Sequence, residues 1–152
     1  MKNQKLHLDQ LERKLSPYGK ANKSARPEIG WIKTIRKSLG MSLEQLGRKM
    51  GLSKQSIQSM EKRETTGAIT ISALNEVAKA LDMELVYGFV PKGGSVMNLV
   101  EEKAKKMATE IVLRTSQNMR LEDQSLPYKR IEKAIADRTQ EILKELPKTL
   151  WD

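Results

Sequence analysis

One stretch constrains the fold more than any other: Ser42 to Glu64, S-L-E-Q-L-G-R-K-M-G-L-S-K-Q-S-I-Q-S-M-E-K-R-E. Two short helical patterns meet there at a tight turn, Met50-Gly51-Leu52-Ser53. Ser42 and Gln45 fit a capping box, and Leu43, Leu46 and Met50 line the inner side of the first helix. Ser53 caps the second helix, whose inner side is Ile57 and Met60. Gly51 permits positive φ in the turn, and Leu52 is expected to plug the angle between the helices. Gly47 stands where the second helix must approach closely, so a missing side chain is useful there. These are the requirements of a helix-turn-helix whose second helix projects outward.

At about 100° per residue, Gln55, Gln58, Ser59 and Lys62 fall opposite Ile57 and Met60, with Lys54 at the margin. No acidic or bulky apolar side chain shares that outward face. Glutamine can bond adenine N6 and N7 together, and lysine can reach guanine O6 and N7 or a phosphate. Lys54, Gln55, Gln58, Ser59 and Lys62 are therefore the expected base readers. Ser42, Gln45, Ser53 and Arg63 are the expected phosphate contacts, helped by the N–H groups at the helix starts. The competing reading is an ordinary solvated helix face. The spacing of Gly47, Gly51, Leu52, Ile57 and Met60 favours DNA reading over it.

Composition agrees and excludes alternatives. The chain has 152 residues, enough for one ordinary domain or a small one with extensions; 38% are apolar and 31% charged. Its 28 Lys and Arg against 19 Asp and Glu give +9, a surplus that attracts polyanions. Residues 1–27 carry 7 basic and 2 acidic side chains, residues 28–91 carry 9 and 7, and residues 92–152 carry 12 and 10. With no Cys and a single His (His7), there is no disulfide, thiol nucleophile, Cys-type zinc site or imidazole cluster. Neither a Gly-rich phosphate loop nor clustered carboxylates stand in for them, so no enzyme, metal or cofactor is expected. No apolar run approaches the roughly 20 residues of a membrane span, and Met1–Lys5 lead into no signal-peptide core. The expectation is a cytoplasmic, nucleoid-associated protein with no membrane partner.

The remaining chain reads as mainly α in three parts. Residues 1–27 form an N-terminal helix (4–15, with Leu8, Leu11 and Leu15 on one face) and a basic linker from Ser16 to Pro27. Lys20, Lys23 and Arg26 of that linker either follow phosphates, with Arg26 able to enter a minor groove, or are simply solvated. Residues 28–91 hold the DNA-binding part. There Ile32, Ile35 and Leu39 mark one buried face, Gly40 ends that helix, and a helix at 71–81 turns Leu74, Val77, Ala78 and Leu81 inward. Glu84–Val90 is β-type, with Leu85, Val86, Tyr87, Phe89 and Val90 as the expected dimer strand. A lone strand leaves its backbone groups unpaired, and the same strand of a second subunit would satisfy them; the alternative is an extended tail on the preceding helix. Residues 92–152 read as an antiparallel helical hairpin linked by Leu121–Leu126, with Pro127 in the first turn of its second helix.

The pattern from Ile32 to Leu81 resembles the Cro/C1-type (XRE) helix-turn-helix regulators, which implies a lambda-repressor-like fold. Many of those place Gln directly after the first cap, to contact phosphate; here that position is Leu43, so the grip falls to Ser42, Gln45 and the helix N-termini. R-P-x-x-G-W-I-K-T-I-R at 26–36, E-L-V-Y-G-F-V-P, L-E-D-Q at 121–124 and the final L-W-D are similar to the "mobile mystery protein A" family. That resemblance implies a regulator on a bacterial mobile element, beside a protein carrying a Fic domain. An antitoxin-like interaction with a Fic-domain partner is the alternative it raises. Fic inhibitors commonly carry [ST]-x-x-x-E-[GN]; Ser72–Glu76 followed by Val77 departs from that pattern. The leading expectation is a homodimeric regulator that binds an inverted-repeat operator on double-stranded DNA and represses its own promoter.

Overall fold

A computed structural model describes residues 2–21, 26–121 and 127–152. The chain divides into two units, Lys23–Gly88, and Met1–Asn22 together with Phe89–Asp152.

Among its described residues, unit Lys23–Gly88 contains the helices α3 (Trp31–Ser38), α4 (Leu43–Met50), α5 (Lys54–Thr66) and α6 (Ile71–Ala80). Local signals start and stop them. Ser42 and Gln45 make both bonds of the capping box: the Gln45 N–H donates to Ser42 Oγ at 3.1 Å, and the Ser42 N–H donates to Gln45 Oε1 at 2.7 Å. Ser53 Oγ accepts from the Ser56 N–H at 3.1 Å, and Thr70 Oγ1 accepts from the Ala73 N–H at 3.0 Å. Gly51 ends α4 at φ +66°. The core is Ile32, Leu46, Ile57, Met60, Val77 and Leu81, with Leu46 and Ile57 fully buried. Two apolar residues expected inside lie outside: Leu39, at the C-cap of α3, and Leu52, in the α4–α5 turn, are both exposed, because they stand where the chain leaves one helix for the next.

The strand expected at Glu84–Val90 is not formed: residues 83–90 carry neither helix nor strand, and no strand occurs among the described residues. A ladder needs a neighbour to accept and donate, and nothing among the described residues supplies one. Val86, Tyr87 and Phe89 are exposed, Phe89 most of all at 81%, while Leu85 and Val90 are half-buried.

The second unit contains α1 (Lys2–Leu15), α2 (Tyr18–Ala21), α7 (Val96–Leu121), α8 (Tyr128–Glu145) and a 3-10 turn at Lys148–Trp151. Residues 98–105 of α7 meet 139–143 of α8, and 105–113 meet 128–137, which makes the pair antiparallel. Val100, Ala104, Ala108, Ile142 and Leu150 form its core. Ala104 and Ala108 are fully buried, and their small side chains let the partner helix come close. The N-terminal helix belongs to this packing: Leu8 lies against the core, and Glu12 Oε2 accepts from the Val96 N–H at the start of α7 at 2.6 Å. Part of the expected linker is helical, as α2. Residues 22–25 and 122–126, which include Lys23 and most of L-E-D-Q, lie outside the described residues.

Gly47 tests the α4–α5 turn directly. A Cβ there would sit 2.6 Å from the Leu52 carbonyl oxygen, a backbone atom that cannot swing away. Gly47→Ala should therefore destabilise the unit by about 1–3 kcal/mol, measured by thermal or urea unfolding of the full chain.

Candidate nucleic-acid interface

Helix α5 buries Ile57, Met60, Glu61 and Glu64 and leaves Lys54, Gln55, Gln58, Ser59, Lys62 and Arg63 exposed. The outward stripe read from the sequence is thus a free surface. The side chains of Gln55, Gln58, Ser59 and Lys62 enter no hydrogen bond or ion pair among the described residues.

Two acids hold the helix in that orientation, and sequence reasoning passed over both. Glu61 Oε1 accepts from Arg36 Nε at 2.6 Å and Oε2 from Arg36 Nη2 at 3.3 Å, with both residues buried. Arg36 Nη1 also donates to the Met41 carbonyl at 2.9 Å, tying the pair to the α3–α4 turn. Glu64 caps α3 from outside: Oε1 accepts from the Trp31 N–H at 2.6 Å and Oε2 from the Ile32 N–H at 2.9 Å. Gly30, at φ +84°, makes room, since a Cβ there would lie 2.8 Å from Glu64 Oε2. The signal was in the sequence. Ile57, Met60, Glu61 and Glu64 follow the 3-and-4 spacing of a buried stripe, and an acid at a core position requires a partner.

The other expected contacts are placed unevenly. Lys54 is exposed at the start of α5, but its Nζ pairs with Glu44 Oε1 of α4 at 2.9 Å. The hydrogen bond from Lys54, aided by a backbone N–H, holds the Glu44 carboxyl below its ordinary range. Ser42, Gln45 and Ser53 are exposed at the N-termini of α4 and α5. Their capping bonds use the serine oxygens as acceptors and Gln45 Oε1, leaving the Gln45 amide N–H2 able to donate. Arg63 is exposed on α5. Arg26 Nη2 donates to the Thr65 carbonyl at the end of α5, at 3.3 Å, so it is fastened to the helix rather than free in an arm. Lys20 lies on α2 in the other unit. A groove of about 640 Å³ runs beside α5, lined by Glu28, Ile29 and Lys33 on one side and by Gln55, Gln58, Ser59, Glu61, Lys62 and Thr65 of α5 on the other.

Residues 32–87 match the helix-turn-helix family. In this helix-turn-helix, α4 and α5 are the paired helices and Gly51 stands in their turn. The match supports a DNA-binding regulator of the Cro/C1 (XRE) type, a regulatory rather than an enzymatic domain. No curated protein and no solved structure matches the chain. Among the described residues, no helix is long and apolar enough to cross a membrane, and no group of His, Cys, Asp and Glu could hold a metal ion.

Two measurements test these contacts. Glu61→Ala leaves the Arg36 guanidinium buried without its partner and should cost about 3 kcal/mol of unfolding free energy. For Glu44, a depressed carboxyl pKa means that its contribution is present above the ordinary glutamate value and lost as pH falls through the depressed one. Its NMR titration midpoint should lie below that of an unpaired glutamate and return toward it in Lys54→Ala.

Proposed function

We propose that the chain is a homodimeric, sequence-specific regulator that inserts α5 into the major groove of double-stranded DNA. The observation that carries this reading is the free outward stripe of α5, held proud of the helix-turn-helix by Glu61 and Glu64. Gln55, Ser59 and Lys62 lie most directly opposite the buried stripe and meet base edges, with Lys54 and Gln58 at the margins. Ser42, Gln45, Ser53 and Arg63 contact phosphates around them. An α-helix is about 10–12 Å across and fits a major groove about 12 Å wide.

The second subunit enters through residues 84–90. Leu85, Val86, Tyr87, Phe89 and Val90 are strand-forming residues in a segment that has no ladder among the described residues, and three of them are exposed. Pairing with the same segment about a twofold axis satisfies the backbone and covers the apolar side chains. Such a dimer reads an inverted repeat whose half-sites are about 34–36 Å apart, or a multiple of that. Autorepression follows when the operator overlaps the chain's own promoter, and the resemblance to the mobile mystery protein A family supports a place on a mobile element.

A second reading concerns the other unit. Leu113 and Tyr128 are exposed side by side along the α7–α8 pair, which supports a partner-binding surface there, a Fic-domain protein being the candidate. A stable complex that suppresses the partner's toxicity even with Gln55 and Gln58 replaced by Ala would favour it.

Random-site selection of duplexes, with molecular mass measured in solution, tests the main reading. The selected sequences should be palindromic, the bound species a dimer, and Gln55→Ala should erode the preference at one position in each half-site. Retention of the same motif by Gln55→Ala would remove that residue from base reading. Failure of the pure protein to retain any duplex at low salt would remove the function itself.

A further inference from the structure

Unit Lys23–Gly88 carries a second groove, of about 310 Å³, between α3 and α6. Ile35, Leu74 and Ala78 stand on its sides and Met83 to Val86 run along one edge, while none of the outward residues of α5 lines it. Its two charged lining residues are acids, Glu64 and Glu84, and both oxygens of Glu64 already accept N–H groups of α3. Such a lining repels a phosphate backbone and suits an uncharged side chain with an apolar body. Around it Trp31, Met83, Val86 and Tyr87 are exposed, and large apolar side chains gathered about one concavity mark an interaction surface. Area decides what must cover it. A stable interface takes about 800 Å² from each partner, roughly 20–30 residues a side. Glu84–Val90 supplies far fewer, and a two-stranded ribbon is marginal unless it packs on a helix. The paired segment therefore needs a helical face, and the α3–α6 groove is the one it borders.

We infer that this groove is the seat for Tyr87 of a second copy of the chain, each Tyr87 entering the other copy's groove; the inference rests on the dimer reading above. In an extended segment alternate residues share a face, so Tyr87 points the same way as Leu85, which is half-buried and lines the groove. Tyr87 itself is 65% exposed and does not line the groove of its own chain. Opposite residues of an antiparallel pair share a face and stand about 4.5–5.5 Å apart. With Val86 on the twofold axis, Tyr87 of one chain stands opposite Leu85 of the other, over that chain's groove. Glu84 then faces Gly88, so no two acids meet across the pair. A tyrosine buries roughly 150–250 Å² when covered, and two of them, one per seat, anchor the ribbon to the helices.

The experiment uses the full chain without DNA, its mass followed against concentration by analytical ultracentrifugation. Tyr87→Ala, at an exposed position, should raise the dimer dissociation constant about 30-fold or more. Ala78→Phe, which fills the groove from α6, should do the same, both variants keeping the circular dichroism of the wild type. Mixed together, they should form a heterodimer tighter than either homodimer, because Tyr87 of the Ala78→Phe chain meets an open groove in the Tyr87→Ala chain. The chain has no Cys, so an introduced one reports only on its own copy. Val86→Cys should form a disulfide-linked dimer under mild oxidation, and Tyr87→Cys should not. A Tyr87→Ala chain that dimerises like the wild type would overturn the seat and leave the dimer, as would folded variants that form no heterodimer. Self-linkage through Tyr87→Cys in place of Val86→Cys would overturn the register and the seat with it. A wild-type chain that is monomeric at every concentration would overturn both dimer and seat. Uptake of 1-anilinonaphthalene-8-sulfonate by that monomer, lost in Ala78→Phe, would give the groove to a small apolar ligand instead.

Discussion

Two carboxylates three residues apart, Glu61 and Glu64, determine where α5 can lie. Both reach α3, one through the Arg36 guanidinium and the other through the first N–H groups of the helix. Buried charge is costly without a partner, so neither acid tolerates a helix that has rotated or slid away from these donors. The first turn of α5 is located separately, by the close approach of Gly47 to the Leu52 carbonyl and by the left-handed Gly51. With both ends of α5 fixed and one face committed to Ile57 and Met60, the direction of the opposite face follows.

The local parts of this arrangement were legible in the sequence. Ser42 with Gln45, Ser53 and Gly51 act on neighbours within a few residues, and each forms the bond or backbone angle its residue type implies. The stripe Gln55, Gln58, Ser59 and Lys62 was legible because helical periodicity alone places it opposite Ile57 and Met60. Glu61 and Glu64 were passed over for a different reason: an acid is ordinarily a surface residue, and its partners are about 30 residues away in sequence. Only their coincidence with the buried spacing betrayed them. Leu39 and Leu52 failed in the opposite direction, as apolar residues at turns between helices that remain exposed.

Composition was a weaker guide than periodicity. The segment from Ser16 to Pro27 has the residues of a linker, yet Tyr18–Ala21 is helical and Arg26 is bonded to the end of α5. Glu12 joins α1 to the start of α7 through a backbone N–H, a contact between residues 84 apart that no local pattern announces. Glu84–Val90 has strand composition without a strand, because a ladder is a property of two segments and the sequence describes one.

The division of labour on α5 bears on how such a protein changes over generations. Its inward residues are locked to partners on α3, so altering one of them demands a compensating change elsewhere. Gln55, Gln58, Ser59 and Lys62 carry no internal obligation among the described residues. They can be exchanged for other polar side chains with little penalty to folding. Under the proposed DNA-reading role, a lineage built on this scaffold acquires new target sequences by drift at a handful of codons, while the framework that presents them stays frozen.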